Sequence, residues 1–338
     1  MKIKELMFKI LNGMSLGIVA TLIPSAILGE IAKSLNLASI LNLTRISTSL
    51  LPFAIGTGVS YQLSFTPLES ICVSVATFIG SGVVSFVNGN IVLTGTGDVV
   101  NAGVTAFIAS LAIYLFRDKV KGLSMVALPI IISTAVGWIG LNLLPYVSKV
   151  NGVIGLTIEE VVKMQPLLTG GIIAIIFSIL IISPFSTVGI ALAVNLSGIA
   201  AGAANLGVCA AAFGLALAGL KVNPIGITLV PVLGSAKIQM ANFVKNPLII
   251  VPIVINAFTL GVLGALFNIK GTAFSAGFGI SGLIGPINAL NHLSWNLKNI
   301  VLVFTLFIIL PIVFGYICNF IFINKLVLIK EEDYKVTI

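Results

Sequence analysis

Charge is scarce in this chain. Asp, Glu, Lys and Arg make up 8% of its 338 residues, against the ~25% that a water-exposed domain carries. That shortage excludes an ordinary soluble surface, and the apolar bulk, 58% of residues at mean hydropathy +1.19, calls for lipid. Histidine is almost missing: His292 is the only one. With no acids clustered beside it, no metal site is expected. Cysteine is sparse too. Cys72, Cys209 and Cys318 lie scattered in apolar sequence without C-x-x-C spacing and read as small buried thiols, not a disulfide frame. No Ser-His-Asp or Cys-His set can be assembled and no Gly-x-x-x-x-Gly-Lys-Ser/Thr loop occurs. Neither covalent catalysis nor nucleotide hydrolysis is therefore expected, and no cofactor is called for.

The few charges are placed informatively. Lys2, Lys4 and Lys9 precede the first apolar segment; Arg117, Lys119 and Lys121 share one short loop; Lys325, Lys330 and Lys335 follow the last segment. Cytoplasmic loops collect such cations, so both termini are expected inside the cell. The net charge of +8 follows from this rule, and without a basic groove lined by aromatic residues no nucleic-acid partner is expected. The first apolar segment continues through Ile31 without a cleavage signal, which reads as a retained span.

A span needs about 20 apolar residues. Candidates run Leu11–Ile31, Ser47–Phe65, Leu68–Val87, Val99–Phe116, Leu123–Val147, Leu167–Ile182, Val188–Leu220, Ile225–Met240, Leu248–Phe267 and Ile300–Ile323. The expected fold is all-α: one polytopic membrane domain over residues 1–338, with about ten helices. The 34 Gly and 13 Pro imply broken or re-entrant segments of the kind that transporters use. Lys149–Gln165 has Ile154, Ile158, Val161 and Val162 on one side and Glu159, Glu160 and Lys163 on another, as in a helix lying along the interface. The glycine-dense, uncharged stretch Gly271–Trp295 reads as a re-entrant hairpin.

Polar residues inside this apolar sequence are the candidate site. Asp98 is the only charge between Glu69 and Arg117, and an ionisable group at bilayer depth points to function. It lies among Asn88, Asn90 and Asn101, and in a helix Asp98, Asn101 and Thr105 share one face. The competing reading is a simple helix cap. Between the charges of Lys163 and Lys221, Asn195, Gly198, Gly202 and Asn205 fall on one helical stripe, fit either for amide contacts with a polyol or for close helix packing. Ser183-Pro184 marks a break that frees carbonyls for a ligand. Asn288 and His292 complete the set as hydrogen-bonding groups, His292 alternatively as an interfacial histidine beside Trp295. Pro24 kinks the first span and Glu30 lies near its far end; Glu69, after Pro67, reads as structural.

Several of these pieces carry a resemblance. The run Asn12–Glu30, Gly95-Thr-Gly-Asp98-Val-Val-Asn101, Ile182-Ser-Pro-Phe-Ser-Thr-Val and Ser197-Gly-Ile-Ala-Ala-Gly-Ala-Ala-Asn-Leu-Gly207 resemble the second EIIC-type family of phosphotransferase-system membrane components. That family includes proteins similar to a regulator of perfringolysin O. The resemblance implies an EIIC-like fold, a homodimer in the bacterial cell membrane, and a sugar-type solute moved by an elevator or rocking motion; with the polar residues, the expected cargo is a small hydroxylated or anionic molecule. It also implies separate EIIA and EIIB subunits for any phosphoryl chemistry. A membrane-embedded sensor that controls toxin or metabolic gene expression, and a channel, are the other readings.

Overall fold

The computed structural model describes residues 3–273 and 275–337. The helices are α1 (Ile3–Ser34), α2 (Ala38–Ser49), α3 (Leu51–Gln62), α4 (Pro67–Gly80), α5 (Val99–Phe116), α6 (Ser124–Leu128), α7 (Gly137–Val162), α8 (Pro166–Leu180) and α9 (Thr187–Ala193). They continue with α10 (Gly198–Gly219), α11 (Ile225–Leu233), α12 (Met240–Lys245), α13 (Val251–Leu266), α14 (Ile284–Leu293), α15 (Leu297–Phe304) and α16 (Leu310–Asn319). Two short strands, β1 (Val84–Val87) and β2 (Asn90–Leu93), form the only sheet among the described residues. The chain divides into two compact units, Met1–Val150 and Asn151–Thr337, and the division falls inside α7.

Among the described residues, six helical runs are long and apolar enough to cross a membrane, or seven if the α2–α3 pair, bent by 48°, is one span. The expected ten is not reached by this count, and two of the expected runs are cut short. The Ile225–Met240 candidate stops after nine residues at Gly234, and the Leu68–Val87 candidate stops at Gly80. Beyond it, Asn88 (φ 50°) and Gly89 (φ 79°) make a tight turn between β1 and β2. An Asn-Gly pair with both residues left-handed fits the twist of a two-residue hairpin. The Lys149–Gln165 segment is no separate interfacial helix either: through Val162 it continues α7. Ile158 and Val161 are buried there while Val162 is exposed. Glu160 pairs with Lys163 across an exposed face.

In the N-terminal unit, α1 and α3 cross at glycines. A Cβ on Gly13 or Gly58 would collide with the other helix's backbone, and one on Gly17 would come within 2.5 Å of Ala54. Helix α4 starts at a capping box in which Thr66 and Glu69 exchange hydrogen bonds, the Thr66 amide donating to Glu69 Oε2 at 2.8 Å. Glu69 is accordingly structural, as its place after Pro67 suggested. In the C-terminal unit, α10 is packed among α8, α13 and α16. Gly207 meets Ala174 of α8, and Gly170 of α8 meets Gly261 of α13, so closely that no side chain fits at any of the three glycines. Dispersion between close backbones is the main adhesive available to helices in lipid.

Candidate functional site

One polar cluster is built on the first three turns of α10. Gly198 pairs with Gly271 in a short antiparallel bridge, both N–H···O bonds being 3.0 Å. A Cβ on Gly202 would strike the carbonyl of Ile269. The small residues on α10 therefore admit an extended, non-helical segment. The glycine-rich loop that follows then folds along α10. Thr187, the first residue of α9, donates to the Gly277 carbonyl at 3.1 Å. Gly277, Gly279 and Gly282 have φ of 91°, 60° and 60°, conformations that favour residues without a Cβ.

Asn205 fastens this loop. It is buried; its Oδ1 accepts from the Gly279 amide at 3.0 Å, and its Nδ2 donates to Ser275 Oγ at 3.4 Å. Ser275 Oγ in turn donates to Asn288 Oδ1 of α14 at 3.1 Å and accepts from the Thr272 amide at 3.0 Å. Asn288 is half-buried. Two expected residues, Asn205 and Asn288, thus meet through a third, Ser275. The other candidates of this unit do not join them. Asn195 lies outside the helix that the stripe required: α9 ends before it, its φ is 47°, and it is exposed. His292 is exposed on the last turn of α14, where Trp295 Nε1 donates to Asn291 Oδ1 at 2.8 Å. Ser183 is buried, with its hydroxyl donating to the Leu180 carbonyl at 2.7 Å and accepting from the Phe185 amide at 3.3 Å.

The N-terminal unit holds the remaining candidates. Asp98 is the N-cap of α5, its Oδ1 accepting from the Asn101 amide at 2.9 Å and its Oδ2 from Ser148 Oγ at 3.5 Å. A carboxylate there satisfies an orphan amide and meets the positive end of the helix dipole. Asn101 is fully buried and spans three helices: its Nδ2 donates to the carbonyls of Gly80 (2.5 Å) and Gly140 (2.8 Å). Thr105 donates to the Asn101 carbonyl at 2.8 Å and fills the space that a Cβ on Gly80 or Gly140 would need. Asn88 is exposed in the hairpin turn. The side chains of Pro24 and Glu30 lie outside the described residues.

The family model described as "Phosphotransferase system, EIIC" matches residues 8–336. The chain belongs to this EIIC family. No curated protein and no solved structure matches it. As an EIIC protein it is a multi-pass membrane component of a sugar phosphotransferase system, and the resemblance carried by the glycine- and asparagine-rich runs holds over nearly the whole chain. Two residues of this EIIC protein's polar interior are not signalled by the sequence pattern that marks the others. Ser275 sits inconspicuously in an apolar run. Lys237, the one charge between Lys221 and Lys245, is only 5% exposed, and the logic that singles out Asp98 applies to it equally. Cys72, Cys209 and Cys318 are buried free thiols, as their spacing indicates.

Proposed function

We propose that this EIIC protein moves a small hydroxylated, sugar-type solute across the membrane by alternating access, and that the solute binds where Asn205, Ser275 and Asn288 meet. One observation supports the reading above the rest. Two amides and a hydroxyl, drawn from a helix, a loop and a second helix, hydrogen-bond to one another amid apolar packing. Each of these groups both donates and accepts. Sugar hydroxyls have the same dual character, so a solute replaces these mutual bonds one for one without needing a countercharge. A few placed polar groups in apolar walls is the usual make-up of such a site. The neighbouring glycine-rich loop, tied down by side-chain bonds from Asn205 and Thr187, is the segment that moves, and Gly271–Trp295 enters the membrane without crossing it.

Phosphoryl transfer is left to separate EIIA and EIIB subunits, and the protein works as a homodimer. The lysines at both ends of the chain support cytoplasmic termini. Asp98 and Asn101 serve the packing of the N-terminal unit: Asp98 caps α5 and accepts from Ser148, and Asn101 donates to the Gly80 and Gly140 carbonyls. The test is uptake of labelled sugars and polyols by cells expressing the protein, compared with Asn288→Ala. Loss of uptake of at least tenfold at equal membrane abundance is expected, a factor that corresponds to about 1.4 kcal/mol of binding. Undiminished uptake by the variant contradicts the site.

A further inference from the structure

The break after α8 leaves the Ser183 and Phe185 carbonyls without amide partners, while the Leu180 carbonyl takes the Ser183 amide at 3.1 Å and the Ser183 hydroxyl at 2.7 Å. Pro184 has no N–H, so it cannot take up the Leu180 carbonyl as a fourth-along helical residue would. The chain then turns away, leaving the Ser183 and Phe185 carbonyls outside any ladder of helical bonds. One side chain reaches all three. Lys237 Nζ donates to the Ser183 carbonyl, to the Phe185 carbonyl at 2.6 Å and to the Leu180 carbonyl at 3.4 Å. Its position is set from the far side: α11 stops at Gly234, and Ser235 caps the turn Ala236–Gln239 by accepting from the Lys237 amide at 3.3 Å.

We infer that the carbonyls of Leu180, Ser183 and Phe185 form a monovalent-cation site whose resident cation is the Lys237 ammonium. An ammonium head with three donors meets three converging carbonyl oxygens, the ligand chemistry by which proteins replace the hydration shell of K+ or NH4+. The tethered charge supplies what a free ion would otherwise supply, and it cannot diffuse away.

The experiment uses the purified full chain without solute, so its outcome is independent of any sugar. Thermal unfolding is followed by tryptophan fluorescence in N-methylglucamine, sodium, potassium, ammonium and methylammonium chlorides at equal ionic strength. Wild-type protein is expected to melt at one temperature in all five. Lys237→Ala opens the site and is expected to gain several degrees, saturably, in potassium, ammonium or methylammonium. Lys237→Met, which fills the stem's volume without charge, is expected to respond to none. Equal melting of Lys237→Ala in all five salts overturns the inference, as does a Lys237→Met response equal to that of Lys237→Ala. Should Lys237→Ala fold only in a small cation, recovery of monodisperse protein in potassium or methylammonium but not in N-methylglucamine supports the site. Equally poor recovery in all five overturns it.

Discussion

Single residues divide by what their hydrogen bonds hold. Asn205 keeps a buried backbone amide satisfied; Asn205→Ala strands the Gly279 N–H, which costs about 1–3 kcal/mol. Chemical denaturation in detergent should show that loss together with loss of solute binding. Asp98→Ala removes a cap instead. It should cost about 0.5–2 kcal/mol and leave solute binding in the other unit intact, a contrast that ligand-dependent thermal shift measures directly. Much of this is legible in the sequence. Amides surrounded by apolar residues stand out at Asn101, Asn205 and Asn288, and all three prove to be bonded across elements. Asn195 misleads because a 3.6-residue period is carried through Asn195–Ser197, where the backbone is not helical. Lys237 is easily passed over because a lysine invites a surface reading, although its isolation in apolar sequence matches that of Asp98.

Helices that fit without side chains between them make the elements rigid where α8, α10 and α13 cross. A leucine at Gly261 must force α13 away from Gly170, so Gly261→Leu should abolish the monodisperse peak in size-exclusion chromatography. Gly226, in α11, faces open space, with nothing within 4 Å of where a Cβ would stand. Gly226→Ala should leave folding intact and stabilise by about 0.5–1 kcal/mol through the helix propensity of alanine. Element boundaries are legible where composition changes sharply: α5 begins and ends at Val99 and Phe116, as its apolar run requires. They are lost where turn chemistry overrides hydropathy. Asn88-Gly89 is a hairpin signal, but it follows a long apolar run that suggests a span. Gly234 likewise ends α11 within a stretch that hydropathy alone would extend.

Within the C-terminal unit, the residues after α16 fold back as a docked tail. Tyr334 is buried and donates to the Ile249 carbonyl at 3.4 Å. Gln239 and Asn223 donate to the Tyr334 carbonyl at 2.8 and 2.9 Å, Asn242 to the Lys335 carbonyl at 3.0 Å, and Lys221 pairs with Glu331 at 2.6 Å. Burial, followed by the charge of Asp333, holds the Tyr334 phenol well above its ordinary range. Folded protein then keeps a proton that the unfolded chain loses above about pH 10, so stability falls as pH rises beyond that point. The melting temperature of wild-type protein should drop there more steeply than that of Tyr334→Phe.

Family, membrane setting and helical class are all readable from sparse charge and long apolar runs; the proposed solute site is readable only in part, because its third member is a serine in an apolar loop. Isothermal titration of the purified protein with sugars and polyols, set beside Asn288→Ala, decides most about that site. Saturable heat with wild type and none with an equally folded Asn288→Ala is expected. Identical binding curves for the two proteins would place the solute elsewhere.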